Sequence, residues 1–465
     1  MTSRETAPNP GTALRAGAEL ELTFSDLLAN GQGVGRAEGL VVFCFGPLPG
    51  ERARVVVKQV KPRYAVADLR ELLSESPART QPFCPVFGRC GGCQLQHLTY
   101  PAQLEWKRQL VRDALERIGG HRAIDVRPAI GMTNPRDYRN KMSLVVDQRS
   151  IPPSLGFYRQ RTHDVVPIDA CPIVTPELNA DLAQLNATRG SDSMRTVLRE
   201  ARHLVARSAR ASARSVLTIT TQRRSESAER IAPQLLRELP GLAGVTNSFD
   251  LAGENAILGR RYRLLAGEEE IEETIAGLRY RVSAGSFFQI NVEMVGRIFE
   301  FLTPWLETPR RVVDLYCGVG TFALFFAKHG WSVFGVEENP RAIAEAVANA
   351  RLNRLGQYAR FETGRVEQLV GADSLRAEMR AADVLFLDPP RKGCDEVTLD
   401  AIARSRIPAL WYLSCDPATL ARDSKFLVAK GYRLGIVQPF DMFPQTGHVE
   451  TLVQLEYSEL ASPEH

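Results

Sequence analysis

The sequence predicts an α/β protein in which a doubly wound parallel sheet follows a small β-barrel and a mixed α+β region. After about residue 285, apolar strand-like runs alternate with helix-compatible segments, the pattern of parallel sheets with right-handed crossovers. Short β-branched runs broken by Gly and Pro occupy the N-terminal part. The length of 465 residues suits about three domains.

The N-terminal part is predicted to be a barrel of about five strands over residues 15–74. Residues 1–14 are polar and are predicted to be a mobile tail. The segment Gly31–Gly35 superficially resembles a dinucleotide-binding loop, but no helix follows it. We therefore interpret it as a hairpin turn.

Residues 75–285 are predicted to form a central α+β domain. A helix over 101–118 ends at Gly119-Gly120 and is a candidate to pack against the C-terminal domain. The run Arg195–Arg224 holds eight arginines and one acid, whereas the whole chain has a formal charge of only +4. This run is either a basic cluster that holds phosphates or a solvated strand face.

The cysteines indicate a metal site in a reducing compartment. No apolar run is long enough to span a membrane, and the N-terminus lacks a signal-peptide pattern, so we expect a cytoplasmic protein. Cys84, Cys90 and Cys93 lie within ten residues, and Cys171 is the fourth candidate ligand. This grouping favours metal ligation over disulfides. The spacing alone leaves tetrahedral zinc and an iron–sulfur cluster equally open.

The C-terminal part carries the pattern of a nucleoside-binding site. The strand and glycine loop Val312–Gly320 are followed about 20 residues later by Glu337, at the place where an acid binds ribose hydroxyls. Asp314 would repel the phosphates of a dinucleotide, and the third glycine of that motif is missing. An acidic loop suits S-adenosylmethionine, which is cationic and has no phosphate, so we favour it over NAD.

Two further strand ends carry reactive side chains. Asp388-Pro389-Pro390 is typical of methyltransferases that act on exocyclic amines of bases, although Arg391 stands where that class prefers an aromatic residue. Cys415 follows the fifth strand at a helix N-terminus, a position expected to lower its thiol pKa. A thiolate indicates methylation of uracil C5, because addition to C6 makes C5 nucleophilic. An inert buried thiol is the alternative.

The same chemistry needs a base that removes the C5 proton before the cysteine is eliminated. The candidates lie in the segment Gly447–Glu450, ahead of the last predicted strand. Glu450 is our choice, and His448 is its rival.

The chain from about Leu20 to Leu455 resembles the RNA 5-methyluridine methyltransferases, specifically the TRAM-domain, iron–sulfur type that modifies 23S rRNA. The resemblance rests on motifs that occur in the family's order. They are CPVFGRCGGCQLQHLTYPAQLEWKR, YRNKM, LGFYR, FFQIN, DLYCGVGTF, DPPRKG, SCDPATLARD and GHVET.

This resemblance implies a TRAM (OB-like) RNA-binding barrel, a central iron–sulfur-containing α+β domain, and a Rossmann-like class I methyltransferase domain over 286–465 that uses S-adenosylmethionine. It implies that Cys415 is the nucleophile and Glu450 the base. The implied ligands of a 4Fe-4S cluster are Cys84, Cys90, Cys93 and Cys171. The residues implied to line the S-adenosylmethionine site are Gln289, Tyr316, Thr321, Glu337 and Asp388.

Two residues depart from the family pattern, because Asp416 and Thr321 both stand where the family often has Asn. The expected activity is C5-methylation of a uridine in 23S rRNA by a monomeric enzyme. The alternatives are the same reaction on a tRNA uridine, amine methylation of a base, and a non-catalytic iron–sulfur protein that binds RNA during assembly.

Overall fold

The structure of the chain is a computed structural model that describes residues 14–253 and 255–458. The predicted tail lies, apart from Leu14, outside the described residues. The chain divides into two compact units. The first comprises the residues up to Gly88 together with Cys93–Gln103 and Gln445–Gly447, and the second comprises the remainder.

The first unit contains a closed five-stranded barrel, which confirms the predicted one. Its strands are β1 (Glu19–Leu27), β2 (Gln32–Ala37), β3 (Leu40–Phe45), β4 (Arg52–Val60) and β5 (Tyr64–Ser74). They close in the order β1-β2-β3-β5-β4 around a core that includes Phe24, Val42 and Val55. Gly31 lies in the turn between β1 and β2, as expected for a hairpin.

The second unit contains most of the helix α1 (Tyr100–Arg117), which ends just before the predicted glycine pair. Val111 and Leu115 of α1 are fully buried and belong to the same hydrophobic core as Val313 of the C-terminal sheet. Among the described residues, no helix has both the length and the apolar character needed to cross a membrane.

A seven-stranded sheet forms the middle of this unit, in the order β12-β11-β10-β9-β6-β7-β8. The strands are β6 (Lys141–Asp147), β7 (Ser154–Tyr158), β8 (Val165–Pro167), β9 (Ala201–Ala209), β10 (Arg214–Thr221), β11 (Leu242–Phe249) and β12 (Arg261–Gly267). The helices among them are α2 (Pro176–Thr188), α3 (Asp192–Glu200) and α4 (Glu226–Glu238). A hairpin of β13 (Glu270–Ile275) and β14 (Leu278–Ser283) follows.

The C-terminal sheet confirms the predicted doubly wound architecture, in the order β17-β16-β15-β18-β19-β21-β20. Its strands are β15 (Arg311–Leu315), β16 (Ser332–Glu337), β17 (Ala359–Thr363), β18 (Val384–Leu387), β19 (Ala409–Ser414), β20 (Tyr432–Phe440) and β21 (Glu450–Tyr457). The helices are α5 (Val292–Leu302), α6 (Thr321–Lys328), α7 (Pro340–Leu352), α8 (Val366–Leu369), α9 (Asp373–Ala381), α10 (Glu396–Ser405) and α11 (Pro417–Val428), with a 3-10 turn at Thr303–Trp305.

Strand direction determines where this sheet can bind a ligand. Strands β15 to β19 are parallel, and β21 runs antiparallel between β19 and β20. The strand order reverses at β15, which has β16 on one side and β18 on the other. Ligands of open α/β sheets bind beyond the carboxyl ends of the strands at such a point.

A buried ion pair joins α1 to the loop between β20 and β21. Lys107 and Asp441 are both fully buried, with Nζ and Oδ1 2.5 Å apart, and Lys107 also donates to the Phe443 carbonyl at 3.1 Å. Burial lowers the pKa of Lys107, and the Asp441 carboxylate opposes that shift. The pair therefore holds the start of the loop that leads to Glu450.

We predict that Lys107→Met lowers the free energy of unfolding by about 3–5 kcal/mol, because it leaves the Asp441 carboxylate buried without its cation. Denaturant unfolding monitored by circular dichroism measures the change. The control is Lys107→Met with Asp441→Leu, which removes both charges and is expected to regain most of the loss. Wild-type stability in the single variant would contradict this account.

Candidate active site

The loop after β15 adopts backbone conformations that bring it close to the carboxyl edge of the sheet. Tyr316, Gly318 and Gly320 have φ angles of +68°, +55° and +84°, in the left-handed region. This region is costly for a side-chain-bearing residue and easy for glycine. Gly320 is the N-cap of α6, and Thr321, the first residue of that helix, is buried. The predicted strand, glycine loop and helix are all present.

Glu337 ends β16 and turns its carboxylate toward the glycine loop. Its Oε2 accepts a hydrogen bond from the Gly318 N–H at 3.2 Å, and its Oε1 accepts one from the Asn339 N–H at 2.9 Å. A carboxylate can accept more than two hydrogen bonds, so Glu337 can still accept a hydrogen bond from a ligand hydroxyl.

Asp314, in β15, is a buried acid that has no side-chain hydrogen-bond donor among the described residues, although the backbone N–H of Ala323 acts to lower its pKa. Burial raises its pKa well above the usual value, and the charges of Asp388 and Glu337 add to that effect. Three acids thus crowd the carboxyl ends of β15, β16 and β18. A positively charged ligand would relieve this repulsion, whereas a phosphate would increase it.

Asp388 directly follows β18 and is held by Gln289. The Gln289 Nε2 donates to Asp388 Oδ2 at 3.2 Å, and the Asn140 side chain donates to the Gln289 carbonyl at 3.0 Å. Burial raises the pKa of Asp388 to about 7. The structure therefore brings Gln289, from the segment before α5, to the same edge as the glycine loop.

Cys415 and Glu450 lie close together at the end of the sheet. The antiparallel register of β19 and β21 ends with Ser414 opposite Thr451, so Cys415 directly follows and Glu450 directly precedes this last pair. The charge of Glu450 acts on the Cys415 thiol, as expected for two adjacent side chains. Burial raises the pKa of Glu450 well above its usual value, with a further contribution from Asp388, while Arg391 lowers it.

Hydrogen bonds to the Asp423 carboxylate hold the loop that carries Arg391. This fully buried carboxylate accepts hydrogen bonds from the Cys394 N–H at 2.9 Å and the Tyr412 hydroxyl at 2.7 Å. Gly393 has φ +74°, and a Cβ there would lie 2.5 Å from Asp423 Oδ2. In the sequence, Arg391 stands out only because it occupies a position where an aromatic residue is expected. Its charge acts on both Cys415 and Glu450.

His448 contacts Arg391, with 3.3 Å between Nε2 and the arginine Nη2. Because a guanidinium only donates, this ring nitrogen is the acceptor. Desolvation lowers the pKa of His448 to about 4, and the positive charge of Arg391 adds to the shift. His448 is therefore a weak base with its Nε2 already engaged.

Comparison with known proteins agrees with this arrangement. The model of the tRNA (Uracil-5-)-methyltransferase family matches residues 256–458, and that of the TRAM domain matches residues 14–69. Uncharacterized RNA methyltransferases of Halalkalibacterium halodurans and Thermosynechococcus vestitus are each 38% identical over 451 residues. These alignments cover 94% and 95% of this chain and 96% and 99% of the relatives. The chain belongs to the RNA (uracil-5-)-methyltransferase family.

A solved structure shows the same fold as this methyltransferase. The crystal structure of Pyrococcus abyssi tRNA (uracil-54, C5)-methyltransferase, in complex with S-adenosyl-L-homocysteine, superposes with a TM-score of 0.73 at 24% identity. The similarity covers 94% of this chain and all of that one. The predicted class I methyltransferase fold with an N-terminal TRAM barrel is therefore confirmed.

The Cys415 thiol of this methyltransferase differs from the sequence-based expectation. Burial raises its pKa to about 12, and the charges of Glu450, Asp388 and Asp416 add to the shift, whereas Arg391 lowers it. The expected lowering at the N-terminus of α11 is therefore wrong. Asp416 caps that helix by accepting from the Ala418 and Thr419 N–H groups at 2.9 and 3.0 Å, so its carboxylate offsets the helix dipole.

The predicted cluster ligands are divided between the two units. Cys84 and Cys93 lie in the first, and Cys90 and Cys171 lie in the second. No group of three or more His, Cys, Asp or Glu able to hold a metal occurs among the residues that the structure describes. The structure therefore does not support the predicted metal site. Locally, the Gly92 N–H donates to Cys90 Sγ at 3.4 Å, a contact that would also suit a ligating thiolate.

The arginines of the run Arg195–Arg224 do not share one face. Several of them form ion pairs near the surface, with Glu293 for Arg210, Glu268 for Arg214 and Glu229 for Arg224. Arg207, by contrast, is buried within β9. Strand alternation and neighbouring acids thus give these arginines different environments, and phosphate binding by this run stays a prediction.

We predict that alkylation of Cys415 by iodoacetamide becomes about tenfold faster per pH unit between pH 7 and 9, because the thiolate fraction rises toward the raised pKa. Mass mapping of the labelled peptide over time measures the rate. Arg391→Met is expected to slow labelling at each pH, since it removes a cation that favours the thiolate. A rate that levels off below pH 8 would contradict the raised pKa.

Proposed function

We propose that this protein transfers a methyl group from S-adenosylmethionine to C5 of a uridine in 23S rRNA. The observation that carries the proposal is the grouping of Cys415, Glu450 and Arg391 beside Asp388 and the glycine loop. A nucleophile, a base and a cofactor-binding edge are then available to one pyrimidine ring.

S-adenosylmethionine suits the acids at the carboxyl edge of the sheet, since the buried Asp314 lacks a cationic partner in the described part of the chain and is repelled by Asp388 and Glu337. When bound, this cofactor supplies an electrophilic methyl group on a sulfonium. In this proposal Glu337 accepts the ribose hydroxyls, and Asp388 with Gln289 contacts the adenosine or the amino group. Tyr316 and Thr321 would border the cofactor along the glycine loop.

The proposed nucleophile is Cys415, which loses its proton to solvent water and adds as the thiolate to C6 of the uracil. The C5–C6 double bond becomes an enolate, and C5 takes the methyl group as the bond from sulfonium to methyl breaks. Glu450 then removes the C5 proton, and the electrons of that C–H bond restore the double bond as the C6–S bond breaks. Cys415 leaves as the thiolate.

Glu450 is preferred over His448 as the base for two reasons. Glu450 precedes Thr451, the residue paired with Ser414 next to Cys415, and its charge acts on the Cys415 thiol. Its raised pKa makes its carboxylate a stronger base than an ordinary glutamate, whereas the pKa of His448 is lowered to about 4. General-base catalysis is most effective when the pKa of the base lies near the pH at which the enzyme works.

The RNA would be bound by the TRAM barrel over residues 15–74, ahead of the central domain over 75–285 and the catalytic domain over 286–465. A stacked uracil cannot expose C5 and C6 to two groups at once, so the target is an unpaired or flipped nucleotide. We propose that the enzyme acts as a monomer in the cytoplasm, because thiols stay reduced in that compartment. A tRNA uridine is the second candidate, because the similar archaeal structure is named for that substrate.

Methylation assays on separate unmodified 23S rRNA and tRNA transcripts test the proposal, with product mapping by mass spectrometry. We expect 5-methyluridine in the rRNA, and Cys415→Ala is expected to abolish its formation. Product only in tRNA would replace the substrate, N-methylated cytosine or adenine would favour the amine chemistry, and absent methyl transfer would favour the assembly factor.

We predict that Glu450→Gln accumulates a covalent complex between the enzyme and methylated RNA, because the C5 proton stays in place and Cys415 cannot be eliminated. Denaturing gel electrophoresis with labelled RNA detects it, and Glu450→Gln combined with Cys415→Ala is the control that removes it. Normal turnover without an adduct in Glu450→Gln would assign the base to another residue, with His448→Gln tested next.

The 4Fe-4S cluster stays a prediction that rests on the resemblance, and no step of the proposed reaction uses it. Its stated ligands are Cys84, Cys90, Cys93 and Cys171. We expect anaerobically purified protein to contain about four iron and four sulfide per chain and to absorb in the visible range. A colourless protein with stoichiometric zinc would contradict the cluster.

A further inference from the structure

A buried pair of cations lies on one face of the central sheet. Lys141 of β6 and Arg207 of β9 are directly opposite in an antiparallel register. Like charges in this position repel each other. Arg207 is only 3% exposed, and Lys141 is half-buried. The sheet therefore holds together two groups that would each be more stable in water.

Arg207 is also short of hydrogen-bond partners. Its Nη2 donates to the Ser286 carbonyl at 3.2 Å, but its Nε and Nη1 find no acceptor among the described residues. Glu345 is the carboxylate that acts on Arg207. The Oε1 of Glu345 accepts from Ser283 and Ser286 at 2.6 Å, while its Oε2 has no hydrogen-bond partner among the described residues. Burial raises the pKa of Glu345, and the two serine hydrogen bonds oppose that shift, so Glu345 supplies at most one negative charge to this region.

The charged groups that act on the Lys141 ammonium are both cations. Burial lowers the pKa of Lys141 to about 8, and the positive charges of Arg207 and Arg139 add to the shift. The Arg139 guanidinium lies in the same neighbourhood, where its Nε donates to the Lys141 carbonyl at 3.0 Å. One carboxyl group, that of Glu345, cannot balance the charges of Lys141, Arg139 and Arg207, so an anionic ligand would relieve the excess positive charge.

This cation pair lies next to the candidate active site. Asn140, adjacent to Lys141, donates its backbone N–H to the Ile290 carbonyl and its side chain to the Gln289 carbonyl, both at 3.0 Å. Gln289 in turn holds Asp388. An anion bound by the pair would therefore be fixed relative to the segment that borders the cofactor and the reacting base.

We propose that Lys141 and Arg207 form a pre-built anion site that takes a backbone phosphate of the RNA beside the target nucleotide. The inference rests on the proposed function. A guanidinium fork with two vacant N–H donors suits two oxygens of one phosphate, and the ammonium adds a point charge. The amino-acid carboxylate of the cofactor presents the same chemistry and is the other source to be distinguished.

RNA binding without cofactor tests the site, using the unmodified 23S rRNA and tRNA transcripts at several salt concentrations. Lys141→Met and Arg207→Met are each expected to weaken binding about tenfold. The slope of log affinity against log salt should fall by about 0.7–0.9. Arg433→Met is the matched control, because it removes an exposed arginine paired with Glu456.

Thermal melting separates a binding role from a structural one. Without RNA, both variants are expected to melt at or above the wild-type temperature, because each loses a buried cation that lacks its anion. Inorganic phosphate should raise the melting temperature of the wild type and leave those of the variants unchanged. Weaker RNA binding with lower melting temperatures in both variants, and the same phosphate response as wild type, would overturn the proposal.

Calorimetry with S-adenosylmethionine alone identifies the source of the anion. Unchanged cofactor affinity with weaker RNA binding supports the phosphate. Weaker cofactor affinity with unchanged RNA binding overturns the phosphate assignment and gives the site to the carboxylate. If neither affinity changes while the wild type still forms 5-methyluridine, the anion site alone fails. If the variants lose RNA affinity and the wild type forms no such product, the proposed function alone fails.

Discussion

The burial of several carboxyl groups at one edge of the C-terminal sheet is the constraint on which the candidate active site depends. Asp314 lies in β15, Asp388 follows β18 and Glu450 begins β21, within the strand order β15-β18-β19-β21. Burial raises the pKa values of all three, and the charge of Asp388 adds to the shifts of Asp314 and Glu450. Such an arrangement costs free energy in the unliganded protein. It is tolerable because the surrounding sheet and helices fix the backbone independently of these side chains.

The same acids influence the other reacting groups. A cation bound near Asp314 would restore their ionised forms, which is why the site suits a sulfonium better than a phosphate. The acids also keep the Cys415 thiol protonated, and Arg391 opposes them. The loop with Arg391 is therefore important for the nucleophile, and the hydrogen bonds from Tyr412 and the Cys394 N–H to buried Asp423 keep that loop in place.

Features that follow from strand order could be predicted from the sequence. Glycines after β15, an acid at the end of β16 and a cysteine after β19 must meet at one edge, because parallel strands share their carboxyl ends. The register that places Glu450 close to Cys415 could not be predicted from spacing, since it requires β21 to insert antiparallel between β19 and β20. Likewise, the helix rule for Cys415 failed because it left out burial and the capping carboxylate of Asp416.

The arginine run shows the same limit in the opposite direction. A count of charges along the chain treats Arg207 and Arg214 alike, yet Arg214 is exposed and paired with Glu268 while Arg207 is buried beside Lys141. The difference arises from strand pairing with β6. The pairing of β6 with β9 that brings Lys141 beside Arg207 cannot be predicted from the distance between these residues in the sequence.

The formal charge of +4 counts every carboxyl as ionised. Burial raises the pKa of Asp388 to about 7 and raises the pKa values of Asp314 and Glu450 well above their usual range. This edge of the sheet therefore presents less negative charge to RNA than a count of its carboxyl groups indicates. A polyanion raises these pKa values further and a cationic cofactor lowers them. The two ligands therefore shift the pKa values of these carboxyl groups in opposite directions. RNA binding is expected to take up protons, and cofactor binding to release them.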